Sequence, residues 1–120
     1  MNAMVEKITR TLYEKKALDI VALDVAPLTV ITDTMVIASG RSTIQVRTLA
    51  DEVEEKLSEM GEEPLRKEGQ QDGRWVVLDY GEALVHIFHP QEREFYRLDK
   101  LWESDQNRVA LPFADADDED

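Results

Sequence analysis

The stretch Trp75-Val76-Val77-Leu78-Asp79-Tyr80-Gly81-Glu82-Ala83-Leu84-Val85-His86-Ile87-Phe88 does most to limit what this chain can fold into. Two apolar runs of strand length flank the reversal Asp79-Tyr80-Gly81-Glu82. Val76, Val77, Val85 and Ile87 are β-branched, which suits a pleated, half-buried surface. Gly81 accepts the positive φ that a tight reversal often needs. The pattern predicts a β-hairpin with strands near 75–79 and 83–88. With alternation, Trp75, Val77 and Asp79 share one face, and Val76, Leu78 and Tyr80 share the other. Each face then carries an aromatic that needs cover from the chain's own helices or from a partner.

The rest of the chain supplies elements around that hairpin. Met4, Val5, Ile8 and Leu12 make one apolar stripe and predict a helix over 3–16, with Lys15 and Lys16 in its last turn. Leu18 to Val25 reads as a strand whose continuous apolar middle places it centrally in a sheet, and Pro27 ends it. Thr34 to Ala38 is a second strand, antiparallel to the first because the connection is short. Ser42-Thr43-Ile44-Gln45 is a capping box. The helix it opens runs to about Met60, with Val46, Leu49, Ala50, Val53, Leu57 and Met60 inward, and Gly61 closes it. The segment from Glu62 to Arg74 is polar and reads as a loop. Strand two, this helix and the first hairpin strand read as a crossover, which makes those two strands parallel. Pro90 begins a last helix to about Trp102, with Phe95, Leu98, Leu101 and Trp102 as its apolar stripe. Beyond Glu103 the pattern is lost, although Val109, Ala110, Leu111 and Phe113 offer apolar side chains to the body. The fold class is α/β (α+β mixed sheet), in the order α-β-β-α-β-β-α, with helices covering a mixed sheet.

A length of 120 residues allows one domain and one core. No cysteine is present, which excludes disulfides, thiolate metal sites and a cysteine nucleophile, and agrees with a reducing compartment, the cytoplasm. There is no apolar run of membrane-spanning length and no signal-peptide profile. Net charge is −12, and leaving out the five acids of Asp115 to Asp120 still puts the body at −7. That field disfavours broad nucleic-acid binding and either attracts a basic protein or, as is commoner for acidic proteins, only maintains solubility. The acidic end reads as disordered.

The chemistry-bearing residues do not assemble into a catalytic motif. Gly40-Arg41-Ser42 lies at a strand-to-helix junction, where backbone amides can hold a phosphate. Without a Gly-x-x-x-x-Gly-Lys or Gly-x-Gly-x-x-Gly pattern, the simpler reading is a turn and a helix cap. Asp79 and Glu82 straddle a turn, whereas carboxylates that share a metal ion on a strand fall at alternate positions. They read as turn and rim carboxylates. His86 and His89 are three apart, on opposite faces of a strand, so a packed or hydrogen-bonded His86 is expected, not a metal ligand. No catalytic residue, metal ligand or cofactor site is expected. Trp75 differs: inside a rim of Glu68, Asp79 and Glu82 it has the composition of an interface anchor for a basic partner.

Several motifs in order carry a resemblance. These are Asp19 to Val25, Ile31 to Gly40, Glu68-Gly69, Trp75, Asp79-Tyr80-Gly81-Glu82, Val85-His86-Ile87-Phe88 and Glu94 to Trp102. Together they resemble the ribosomal silencing factor family, also called the Iojap-related family, over about residues 3 to 102. That places a ribosomal silencing factor (Iojap-like) domain over 1–103 and an extension over 104–120. The resemblance implies a bacterial or organellar protein that binds the large ribosomal subunit through large-subunit ribosomal protein fourteen. Docking there blocks joining of the small subunit and lowers translation when nutrients are scarce. It also implies a nucleotidyltransferase-like fold without known catalysis, and members that are often homodimers. Trp75, with Glu68, Asp79 and Tyr80, is carried over to the docking surface. Two alternatives stay open: a degenerate nucleotidyltransferase-like enzyme that binds a nucleotide, and a dimerisation module whose tryptophan face pairs with itself.

Overall fold

The first hairpin strand and its return form as the sequence dictates. In the computed structural model, which describes residues 1–111 and 113, they are β4 (Trp75–Asp79) and β5 (Ala83–Phe88). The pairing is antiparallel from Trp75↔Phe88 to Asp79↔Leu84. Gly81 turns the chain at φ 81°, a left-handed value that only glycine adopts without cost. The Asp79 carboxylate accepts the Gly81 amide at 2.9 Å and fixes the reversal.

Around the hairpin the chain runs α1 (Ala3–Glu14), β1 (Leu18–Asp24), β2 (Thr34–Ser39), α2 (Thr43–Glu59), β3 (Arg66–Glu68), β4, β5, α3 (Pro90–Tyr96) and α4 (Leu98–Trp102). Asn2 caps α1 by accepting the Val5 amide at 2.8 Å. α1 ends at Glu14, so Lys15 and Lys16 fall just past its last turn, and Lys16 takes a left-handed φ of 70°. Ser42 caps α2 by accepting the Gln45 amide at 3.1 Å. Gln45 reaches back one residue beyond the expected partner, accepting the Arg41 amide at 2.6 Å. Gly61 closes α2 at φ 81°, and Met60 stands outside its buried face.

The sheet order is β1-β2-β5-β4-β3. β1 and β2 are antiparallel, as the short connection predicts. The parallel partner of β2 is β5. The expectation that β2 runs parallel to Trp75–Asp79 is therefore corrected: α2 carries the chain across to β3 at the far edge, and β4 and β5 return strand by strand until β5 lies beside β2. β4 takes an outer place and pairs with β3, a three-residue strand inside the segment read as a polar loop. β1 lies at an edge of the named strands and not in the centre. Its apolar run is explained by cover on both faces and along the edge. Asn107 and Ala22 carbonyls accept the Asp24 and Val109 amides at 2.7 and 2.8 Å, and Arg108 bridges Leu23. Val109, Leu111 and Phe113 do return to the body, where Leu111 is buried and Phe113 packs on Tyr13 at 4.8 Å. The reading of Asp115 to Asp120 as disordered lies outside the described residues.

The two sheet faces carry separate cores. Under α1 and α2 lie Ala22, Val36, Ala38, Val76, Leu78, Val85 and Ile87, against Ile8, Leu12, Leu49, Val53 and Leu57. On the other face, Val21, Leu23, Met35, Ile37 and Phe88 pack with the half-buried Trp75, Leu84, Leu98 and Trp102. Among the described residues, the helices that reach that second face are the short α3 and α4. The single terminal helix expected over 91–102 is two helices, broken at Arg97 with φ 51°. Arg93 ties the break down, donating to Ser39 Oγ at 3.0 Å and pairing with Asp99 at 3.4 Å. The break leaves Phe95 78% and Leu101 74% exposed, where one continuous helix was expected to bury both.

Candidate functional site

Strand alternation puts Trp75, Val77, Leu84, His86 and Phe88 on the thinly covered face. Trp75 starts β4 opposite Phe88, and the two rings stack with centroids 4.8 Å apart. Tyr96 of α3 closes on the indole at 4.9 Å, and Phe95 meets Tyr96 edge-on at 4.9 Å. The indole N–H donates to His86 Nδ1 at 3.0 Å. The expectation that His86 is packed and hydrogen-bonded thus holds, with Trp75 as its partner. Burial pushes the His86 imidazole down from 6.5 to about 4, since a charged ring would lose its water. It is therefore neutral near pH 7.

Beside this cluster lies a recess of about 160 Å³, lined by Thr29, Ile31, Thr32, Met35, Leu84, His86, Leu98 and Trp102. Its outer wall is the loop between β1 and β2, where Leu28, Val30 and Ile31 stand exposed and Val30 is fully in solvent. Loop, recess and aromatic cluster together present apolar side chains across one face, which makes that face a candidate interaction surface.

The four residues singled out from the sequence do not lie together. Trp75 is half-buried at the centre of the aromatic cluster. Asp79, on the same face of β4, is held by the Gly81 amide and by Arg66 at 3.4 Å. Glu68 is exposed on β3 and shares Arg66 at 3.8 Å. Tyr80 is separate: it lies under the helices, 6% exposed, in the core opposite Trp75. Its hydroxyl is buried with no hydrogen-bond partner among the described residues, and burial together with Glu54 and Glu63 raises its pKa. Alternation places Tyr80 there, on the face away from Trp75. Sequence reasoning missed Tyr96, Leu84 and the Leu28–Ile31 loop tip. The apolar run in that polar-flanked loop was the available signal.

The Gly40 turn has a structural occupation. A Cβ on Gly40 would meet the Val46 backbone nitrogen at 2.9 Å, so glycine permits the close approach of strand and helix. Arg41 and Gln45 donate to the Lys16 carbonyl at 3.0 and 3.3 Å, closing the end of α1. Among the described residues no group of three His, Asp or Glu converges to hold a metal ion. No helix among them is long and apolar enough to cross a membrane.

A family-level comparison matches residues 1–120 to the family described as "Ribosomal silencing factor during starvation". The ribosomal silencing factor of Haemophilus influenzae is 41% identical over 100 residues, covering 83% of this chain and 98% of its own length. That of Bacillus subtilis is 39% identical, covering 74% of this chain and 75% of itself. The chloroplastic Iojap protein of Zea mays is 32% identical over 88% of this chain, which spans 46% of that protein. A crystal structure of a Chromobacterium violaceum protein superposes with a TM-score of 0.81 at 33% identity, covering 89% of this chain and 91% of that one.

Proposed function

The chain belongs to the family of ribosomal silencing factors acting during starvation, and on that premise we propose that it docks on the large ribosomal subunit through the Trp75 face. The contact is large-subunit ribosomal protein fourteen, on the surface that meets the small subunit. The bound chain blocks subunit joining by its bulk and lowers translation when nutrients are scarce. It acts in the cytoplasm, without cofactor or catalysis.

The observation that carries this reading is the half-covered aromatic cluster around Trp75, continuous with exposed Phe95 and Tyr96. Large aromatics inside a polar rim are the usual anchors of protein interfaces. Glu68 and Asp79 supply acidic rim groups that share a single arginine of the chain, so a basic partner can compete for both. A net charge of −12 favours a basic protein surface and disfavours naked RNA. Binding is therefore expected to weaken as salt is raised. The nucleotide-binding alternative gains no support from the Gly40 turn, whose Arg41 and Gln45 side chains are engaged in closing α1. A second copy of the chain on the same face competes with this reading, and a monomeric mass in solution would remove it.

The test is a sucrose-gradient assay of purified subunits, with and without the protein. We expect co-sedimentation with large subunits and fewer joined ribosomes. Unchanged joining at saturating protein would overturn the reading.

A further inference from the structure

We propose that the recess beside Trp75 is a subsite for one uncharged, carbonyl-bearing side chain of the docking partner, an asparagine or glutamine amide, whose carbonyl oxygen accepts a hydrogen bond from the His86 Nε2–H. The inference deepens the docking reading and rests on it.

Indole nitrogen can donate and cannot accept, so the 3.0 Å contact with Trp75 makes His86 Nδ1 the acceptor. Nδ1 then carries no proton, and the neutral ring holds its proton on Nε2. That nitrogen is buried and has no hydrogen-bond partner among the described residues. A buried donor left without an acceptor is costly, and an acceptor brought by a partner would relieve the cost. His86 lines the recess with Met35, Leu84, Ile31, Leu98 and Trp102.

Size and charge narrow the occupant. At about 160 Å³ the recess is smaller than the roughly 300–1,000 Å³ of small-molecule sites, so it suits one side chain. Among the described residues, His86 is the only titratable group in its lining. A carboxylate entering would lose its water with no cation to face it, and an ammonium would meet a donor. A hydroxyl offers an acceptor but leaves the apolar walls unfilled. An amide carbonyl on a short aliphatic stem meets both demands. Trp75 has its one polar atom satisfied within the chain, so it offers the partner only ring surface.

The test measures affinity for purified large ribosomal subunits and thermal stability together. Leu84→Phe narrows the recess while leaving the Trp75–His86 pair in place. It should keep the melting temperature and weaken binding tenfold or more. His86→Phe removes the donor and should weaken binding by a similar factor in whatever fraction is folded. In the free protein, imidazole nitrogen spectra should show the Nε2–H tautomer. A proton on Nδ1 would overturn the subsite. So would wild-type binding with both variants within twofold of it, and that result leaves the docking reading standing. Absence of binding by the wild type would overturn docking itself. Loss of self-association in Leu84→Phe, with subunit affinity unchanged, would assign the recess to a second copy and overturn the partner named here.

Discussion

The two faces of the sheet are built from the same strands and differ in what covers them. On one, the two long helices α1 and α2 shut a core that excludes solvent. On the other, α3 and α4 run seven and five residues and leave Trp75, Leu84 and Trp102 partly open. Short helices contribute little stability of their own, and this pair is held by Arg93 and by aromatic stacking. The difference teaches that the first face secures the fold, and the proposed docking uses the second. A substitution on the first should therefore move stability, and one on the second should move binding.

The largest expected separation comes from Leu49→Ala, at a fully buried α2 position. It should cost about 3 kcal/mol of stability, read by denaturant unfolding, and leave the affinity of the folded fraction unchanged. An equal loss of subunit affinity would show that the faces are coupled. Next is pH. Because His86 titrates at 6.5 when unfolded and near 4 when folded, the unfolded state takes up the proton first as pH falls. Its contribution is complete above about pH 6.5 and is lost progressively down to about pH 4. The loss is at most about 3 kcal/mol for this group. The slope in that window should flatten in His86→Phe, and an unaltered slope would assign it to other groups. Trp75→Glu should cost about 2 kcal/mol or more of binding to large subunits, roughly thirtyfold, while the circular dichroism spectrum stays folded. Normal binding by that variant would break the comparison from the recognition side. Smallest is Ser42→Ala, which removes the α2 cap and should cost about 1 kcal/mol of stability without touching binding. A change in affinity there would mean that α2 communicates with the open face.

Elements with a strong period were legible in the sequence. α1, α2 and the hairpin follow from apolar spacing, the Ser42 cap and the Gly81 turn. What escaped has physical reasons. β3 is Arg66-Lys67-Glu68, three exposed charged residues with no apolar pattern, held by its ladder to β4 and by the ion pairs of Arg66 with Asp79 and Lys67 with Glu54. The break at Arg97 has no glycine or proline to announce it, and the contacts of Arg93 with Ser39 and Asp99 are long-range consequences of folding. The apolar run of β1 reads as central because burial, not strand order, shapes composition. Trp75 stood out as a site residue because an aromatic on each face of one strand is more than one core needs. The recess and the indole–imidazole bond depend on strand register, which only the paired hairpin fixes.

Both margins of the sheet are blunted. Residues 107–109 lie along β1 and bond to it, and β3 ends the other side in charge. Among the described residues, no long row of bare amides and carbonyls is left for a foreign strand to extend. In the proposed docking the partner comes face-on and is recognised by side chains, one contact at a time. If docking runs through Trp75 as proposed, partner preference can be retuned by single substitutions around it, without disturbing the hydrogen-bonded frame beneath.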